Sequence, residues 1–215
     1  METVKSKSGS FARPKLISVL VPYIAVLVGL YVLKNGWVAI GLYHLGITVF
    51  LVAGGGGGLL KKVCTGWNSM TAAAGIAIPV TIIPAIFIFW KYMQLENMPL
   101  NTALANFGLG GTSWLFFMIY FSTVQPFLEE LYWRGYLESD RGYFSWTDLA
   151  FAGYHILVLA WFIKLPWLVI AFIVLAGAAC IWGYIAARLE GLIVPLLSHI
   201  IADITIIAVT CVLIR

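Results

Sequence analysis

Apolar residues run through this chain in long blocks, separated by short polar or glycine-bearing breaks. Roughly 20 consecutive apolar residues are needed to cross the hydrocarbon core of a bilayer. Blocks of that kind lie at 16–33, 37–60, 72–90, 111–137, 146–163, 166–187 and 191–214. The pattern predicts an all-α fold, a polytopic transmembrane helix bundle of about seven spans. The blocks at 146–163 and 166–187 are so close that they predict a tight hairpin around Leu165 and Pro166. The longest connection, 91–110, carries Gly108 and Gly110 with Gly111 just beyond, and reads as an external, partly helical loop. Gly54 to Gly58 form a run of five glycines near the end of the second block. Such a run permits close helix approach or a break, and without a following GK[ST] it is no phosphate loop.

Composition agrees with the pattern. Of 215 residues, 62% are hydrophobic and 10% charged, whereas a soluble domain is about half apolar and a quarter charged. The net charge of +4 comes from scattered basic residues. It gives no basic stripe for a nucleic acid and is better used to read topology. With the N-terminus in the cytoplasm, nine basic residues (Lys5, Lys7, Arg13, Lys15, Lys61, Lys62, Arg134, Arg141 and Arg188) fall at cytoplasmic ends. Four (Lys34, Lys91, Lys164 and Arg215) fall outside. The excess of positive charge inside predicts that orientation, with the C-terminus outside. METVKSKSGSFARPK is basic and precedes an apolar run, but no small-residue cleavage pattern follows, so the first span reads as retained. Cys64, Cys180 and Cys211 are too widely spaced for a disulfide framework or a zinc knuckle. Three segments follow: a basic cytoplasmic stretch (1–15), helices without motifs (16–110) and a core that carries the chemistry (111–215).

Ionisable residues inside a span are costly and point to function. Glu129, Glu130, Asp203 and all three histidines, His44, His155 and His199, fall within predicted spans, and Asp148 sits at the mouth of one. Glu129 lies nine residues before Glu138, His155 nine after Trp146, and His199 eight after Gly191. At about 1.5 Å per residue, three helices deliver an acid and two imidazoles to one level, roughly 12–14 Å below the cytoplasmic surface. Glu130 and Arg134 are spaced i, i+4 and can pair. On an α-helix Glu129 points about 100° away, clear of Arg134. His199 and Asp203 share the same spacing, as do Phe151 and His155, so Phe151 can wall the site. Pro126 and Pro195 free backbone carbonyls close by.

A carboxylate near two imidazoles in a partly dry cavity can act as general base on water, with the imidazoles donating to an oxyanion. The same Glu/His/His/Asp set can instead hold a divalent metal such as Zn, which would activate the water. The residue pattern leaves both open. Other proteolytic chemistries lack support: there is no HExxH and no GxGD. Ser113 and Ser198 do not stand in a serine–histidine dyad pattern.

Three short motifs occur in order: Glu129-Glu130-Leu-Tyr-Trp-Arg134, Phe151-Ala-Gly-Tyr-His155 and His199-Ile-Ile-Ala-Asp203. They resemble the EExxxR, FxxxH and HxxxN motifs of the CPBP intramembrane endopeptidases, also called the Abi or type II CAAX prenyl endopeptidase family. The resemblance covers about 112–214. It implies an intramembrane endopeptidase in which Glu129 activates water and Glu130 with Arg134 organises the site. His155 and His199 would assist, and residue 203 would help bind the oxyanion. Asp203 departs from the Asn of that pattern. An ionised Asp cannot donate, so it must be protonated, orient His199 or ligate a metal. The implied substrate is a membrane-associated peptide or protein tail, prenylated or not. The short, compact chain suggests a prokaryotic cell membrane, and the depths above put the site nearer the cytoplasmic side.

Blander readings stand beside these. Glu129, Glu130 and Arg134 can be a structural ion cluster, His155 and His199 interhelical hydrogen bonders, and Asp203 a cap on His199. His44 lies in no motif and reads as a packing residue or an interhelical hydrogen bonder. The Trp and Tyr residues read mostly as interfacial belts. Two rival functions follow, an ion or proton pathway and a non-catalytic immunity or scaffold protein. A pathway predicts charges strung along the depth of the membrane, whereas these cluster at one level.

Overall fold

The computed structural model describes residues 13–54, 57–96, 98–137 and 144–215, and it is helical. Lys5, Lys7, Gly55, Gly56, Glu138 and Arg141, on which parts of the topology and glycine readings rest, lie outside the described residues. The first rod consists of α1 (Arg13–Ser18), α2 (Leu20–Val26) and the π-helical π1 (Leu27–Val32). It returns through Asn35, whose side chain accepts from the Val38 N–H and starts α3 (Gly36–Ala53). These two rods touch at Gly29. A Cβ there would lie 2.3 Å from the Ala39 Cα.

The glycine run ends α3 at Ala53, and a separate short α4 (Gly57–Val63) follows. The second span therefore stops earlier than the expected 37–60. Gly54 also lets the chain approach Tyr136 closely, since a Cβ there would meet that ring at 2.4 Å. Next come α5 (Ser69–Ile82) and α6 (Ala85–Met93), which lie end to end across a turn at Pro84. The expected external loop is indeed partly helical, as α7 (Leu100–Asn106), and turns at Gly108 and Gly111 with positive φ. α8 (Thr112–Glu129) passes directly into the π-helical π2 (Glu130–Leu137). Ser145 and Asp148 form a capping box that starts α9 (Trp146–Leu159). So Asp148 serves a helix end. α10 (Leu165–Leu189) and α11 (Ile193–Leu213) complete the bundle.

Backbone hydrogen bonds tie the connections together at two opposite rims. At one rim, Leu192 N donates to the Lys62 carbonyl at 2.8 Å and Ile193 N to Thr65 at 3.2 Å. At the other, Lys164 N donates to Met93 at 2.8 Å, and Gly36 N to Phe107 at 2.8 Å. Five helical stretches are long and apolar enough to cross a membrane: Lys15–Val32, Gly36–Ala53, Ser69–Met93, Leu165–Leu189 and Ile193–Leu213. The expected blocks 111–137 and 146–163 are also helical for most of their length. They carry the polar side chains that the other helices surround.

Burial is inverted relative to a soluble domain. Many large apolar side chains face outward, Val32, Ile88 and Leu165 among them, as an integral membrane protein requires where lipid replaces water. Helices satisfy their own backbone groups there. Among the most buried side chains are Trp133, Tyr132, Phe151, Glu129 and Glu130. Trp133, at 1% exposure, anchors the centre, and truncating such a residue to alanine costs about 3–5 kcal/mol.

Candidate active site

The site is assembled where α8 passes into π2. π-Helical turns are rare and recur at functional sites. Here one starts one turn after Pro126, which cannot give its N–H to the preceding turn. This departs from the uniform α-helix assumed for the Glu-Glu motif. Glu129 closes α8, and Glu130 opens the wider turn.

Each acid has a different neighbourhood. Glu129, at 0% exposure, accepts a hydrogen bond on Oε1 from the Tyr154 hydroxyl. Its Oε2 lies 3.5 Å from His199 Nε2 and has no hydrogen-bond partner among the described residues. Glu130 Oε1 lies 2.8 Å from His199 Nδ1 and 3.4 Å from Arg134 Nη1. Glu130 therefore serves the imidazole as well as the arginine, whereas the spacing had paired it with Arg134 alone. The guanidinium makes no hydrogen bond among the described residues. It lies over the faces of Phe151, at 4.5 Å, and Trp182, at 5.3 Å. A cation is stabilised against aromatic faces in this way.

The two imidazoles face opposite chemistries. His155 Nδ1 lies 2.8 Å from the Phe151 carbonyl. A carbonyl only accepts, so Nδ1 carries the hydrogen and Nε2 of the neutral ring presents its lone pair. His199 turns both nitrogens toward carboxylates. Nδ1 faces Glu130, while Nε2 faces Glu129 and also Asp203 Oδ1, at 3.8 Å. Its ring stacks on Trp182 at 4.4 Å. His155 is thus placed to accept and His199 to donate.

All the candidate residues are brought together: Glu129, Glu130, Arg134, His155, His199 and Asp203, with the Phe151 ring 4.5 Å from that of His155. His44 lies apart from them. Its Nδ1 meets the Tyr120 hydroxyl at 2.7 Å, the interhelical bond expected of it. Ser113 and Ser198 are occupied structurally. Ser113 donates to the Gly108 carbonyl, and Ser198 donates to that of Gly75 and accepts from Trp182. Among the described residues, no group of three or more His, Cys, Asp or Glu is arranged to hold a metal ion.

These motifs, in this order and geometry, invite comparison with known families. Residues 111–205 match the family described as type II CAAX prenyl endopeptidase Rce1-like. No curated protein and no solved structure matches the chain. The Rce1-like stretch starts at Gly111, the residue that caps α8, and ends inside α11 just past Asp203. It holds all three motifs, and the match agrees with the resemblance to the CPBP endopeptidases.

Tyr154 and Trp182, both in this stretch, were not singled out from the sequence, and Trp133 was read mostly as a residue of the interfacial belts. Tyr154 bonds Glu129, Trp182 stacks on His199, and Trp133 donates to the Tyr43 hydroxyl at 2.9 Å. Tyr43, Trp133 and Tyr154 are at most 3% exposed. They are not part of any interfacial belt. Tyr154 carried one usable signal, its place beside His155 and three residues after Phe151, on the motif face of α9.

Proposed function

We propose that this protein is an intramembrane endopeptidase that hydrolyses a peptide bond near the end of a membrane-associated protein tail, with Glu129 as the base. The observation that carries the reading is the arrangement of Glu129. One oxygen is fixed by Tyr154, and the other turns toward the donor-placed His199.

The chain's own residues supply each step. Glu129 Oε2 takes a proton from water, whose oxygen attacks the scissile carbonyl carbon. The oxyanion forms against the His199 Nε2 side, where preorganised donors contribute most. The lone pair of His155 Nε2 holds the water's second hydrogen. When the tetrahedral intermediate collapses, the C–N bond breaks and Glu129 returns its proton to the leaving amine. Glu130 and Arg134 do no proton transfer. They hold His199 by its Nδ1 side and keep its ring against Trp182.

Two observations support this over the rivals. The charged groups cluster at one level rather than along a path. Glu129, Glu130 and Asp203 also all converge on the His199 ring, which a scaffold does not require. The test is cleavage of farnesylated and unprenylated tail peptides by the purified protein in proteoliposomes. Glu129→Gln is expected to lower kcat by about 10²–10⁴-fold without a loss of folding, and a chelator to leave the wild-type rate unchanged. A Glu129→Gln variant that cuts like wild type would sink the assignment. Inhibition by chelator that is reversed by added zinc would replace the metal-free mechanism.

A further inference from the structure

We propose that Tyr154 is a positioning residue for Glu129: its phenol clamps one carboxylate oxygen and thereby aims the other at water. The inference rests on the reading of Glu129 as the base.

The phenol is held rigidly enough to do this. Phe151, Tyr154 and His155 are spaced i, i+3 and i+4 on α9, so they share a face. The Tyr154 ring stacks on Trp133 at 6.0 Å with an interplanar angle of 7°. It lies 5.4 Å from Tyr43 and meets Phe151 edge-on at 5.8 Å. Its hydroxyl bonds Glu129 Oε1 and lies 3.2 Å from His155 Nε2.

Tyr43 backs the clamp. An indole N–H only donates, so the Tyr43 oxygen accepts from Trp133 and its own hydrogen is left to give. The Tyr43 ring lies against that of Tyr154 at 5.4 Å. A buried phenol thus holds Oε1 of the carboxylate, while Oε2 has no hydrogen-bond partner among the described residues. A carboxylate free to rotate would spread its lone pairs over several directions, and misplacing a reacting group by about 1 Å can cost 10²-fold.

Other tyrosines provide the control. Tyr31 donates to the Leu157 carbonyl and Tyr23 to that of Ala150, both on α9. They anchor the same helix without touching the acid. A purely structural role for Tyr154 would resemble theirs.

The experiment compares Tyr154→Phe with Tyr31→Phe in proteoliposomes, using a fluorogenic farnesylated CAAX peptide. Tyr154→Phe is expected to lower kcat about 10–100-fold with KM within twofold. Its melting temperature should change no more than that of Tyr31→Phe. In a Glu129→Gln background the same change should lower the residual rate by less than twofold, because it acts through the acid. A second readout needs no turnover. The infrared carboxyl band that vanishes in Glu129→Gln should shift in Tyr154→Phe and stay in place in Tyr31→Phe. An unshifted band, or a kcat within twofold of wild type, overturns the inference. If Glu129→Gln itself retains full activity, the proposed function fails first, a result distinct from a silent Tyr154.

Discussion

The turn of π2 and the connection beside Lys164 each hold one acid–base pair, and by distance alone the pair at Lys164 is the stronger. Lys164 Nζ sits 2.6 Å from Glu96 Oε1, while Arg134 Nη1 sits 3.4 Å from Glu130 Oε1. Their surroundings reverse the ranking. The Glu96 side chain is 79% exposed, so water and salt screen the pair and its worth is small. The Glu130 and Arg134 side chains are each 1% exposed. Removing one partner there strands a buried charge, which costs far more than the pair contributes. Contact length therefore ranks interactions poorly in this protein, and depth ranks them well.

The strongest way to break this comparison is to remove the buried cation. Arg134→Met keeps volume and length but leaves Glu130 facing only His199. The expected loss is about 3–5 kcal/mol, seen as a large fall in melting temperature together with loss of peptide cleavage. If Arg134→Met were as stable as wild type, burial would not be what gives the pair its weight.

A smaller effect of opposite sign comes from Asp203. Three buried acids, Glu129, Glu130 and Asp203, share one guanidinium and two imidazoles. Asp203 Oδ2 has no hydrogen-bond partner among the described residues. Asp203→Asn removes one buried negative charge and adds an amide donor. The variant is expected to gain roughly 1–2 kcal/mol of stability, at the low end of what replacing buried ions yields. Its kcat should stay within about tenfold of wild type, because an amide can donate to an oxyanion. A strongly destabilised Asp203→Asn would mean that the carboxylate is needed as a charge against His199. Melting curves alongside kcat measurements separate the two outcomes.

The sequence made much of this site legible because depth and spacing are arithmetic. Helical rise alone put Glu129, His155 and His199 at one level, and i, i+4 spacing put Asp203 beside His199 and Phe151 beside His155. Three things were not legible. The π-helical turn arises from backbone hydrogen bonding that no residue pattern specifies, so the direction of Glu130 was read from α-helical geometry and its bond to His199 was missed. Tyr154 and Trp182 belong to residue types that are common at membrane interfaces, and only tertiary packing shows which of them lie in the core. The end of α3 at Ala53 was blurred because glycine and alanine count as apolar in a span, although the glycine run was open to a break from the start.

The weakest effect belongs to the exposed pair, and it sets the other end of the scale. The hydrogen bond and charge of Lys164 lower the pKa of Glu96. A depressed carboxylate pKa contributes stability above the unfolded value, about 4.3 for Glu. That contribution is lost as the pH falls through the lower folded value. At neutral pH the pair is fully formed, yet Glu96→Gln is expected to leave cleavage unchanged and the melting temperature within error in physiological salt, because exposed pairs contribute little and are screened. The main chain explains why little is lost. Lys164 N still donates to the Met93 carbonyl at 2.8 Å, and Leu95 N to Phe162 at 3.0 Å. The two connections stay joined by backbone bonds that the substitution does not touch. A melting temperature that fell markedly in Glu96→Gln, and rose in wild type only at low salt, would show that this rim depends on charge and would narrow the contrast with the buried pair.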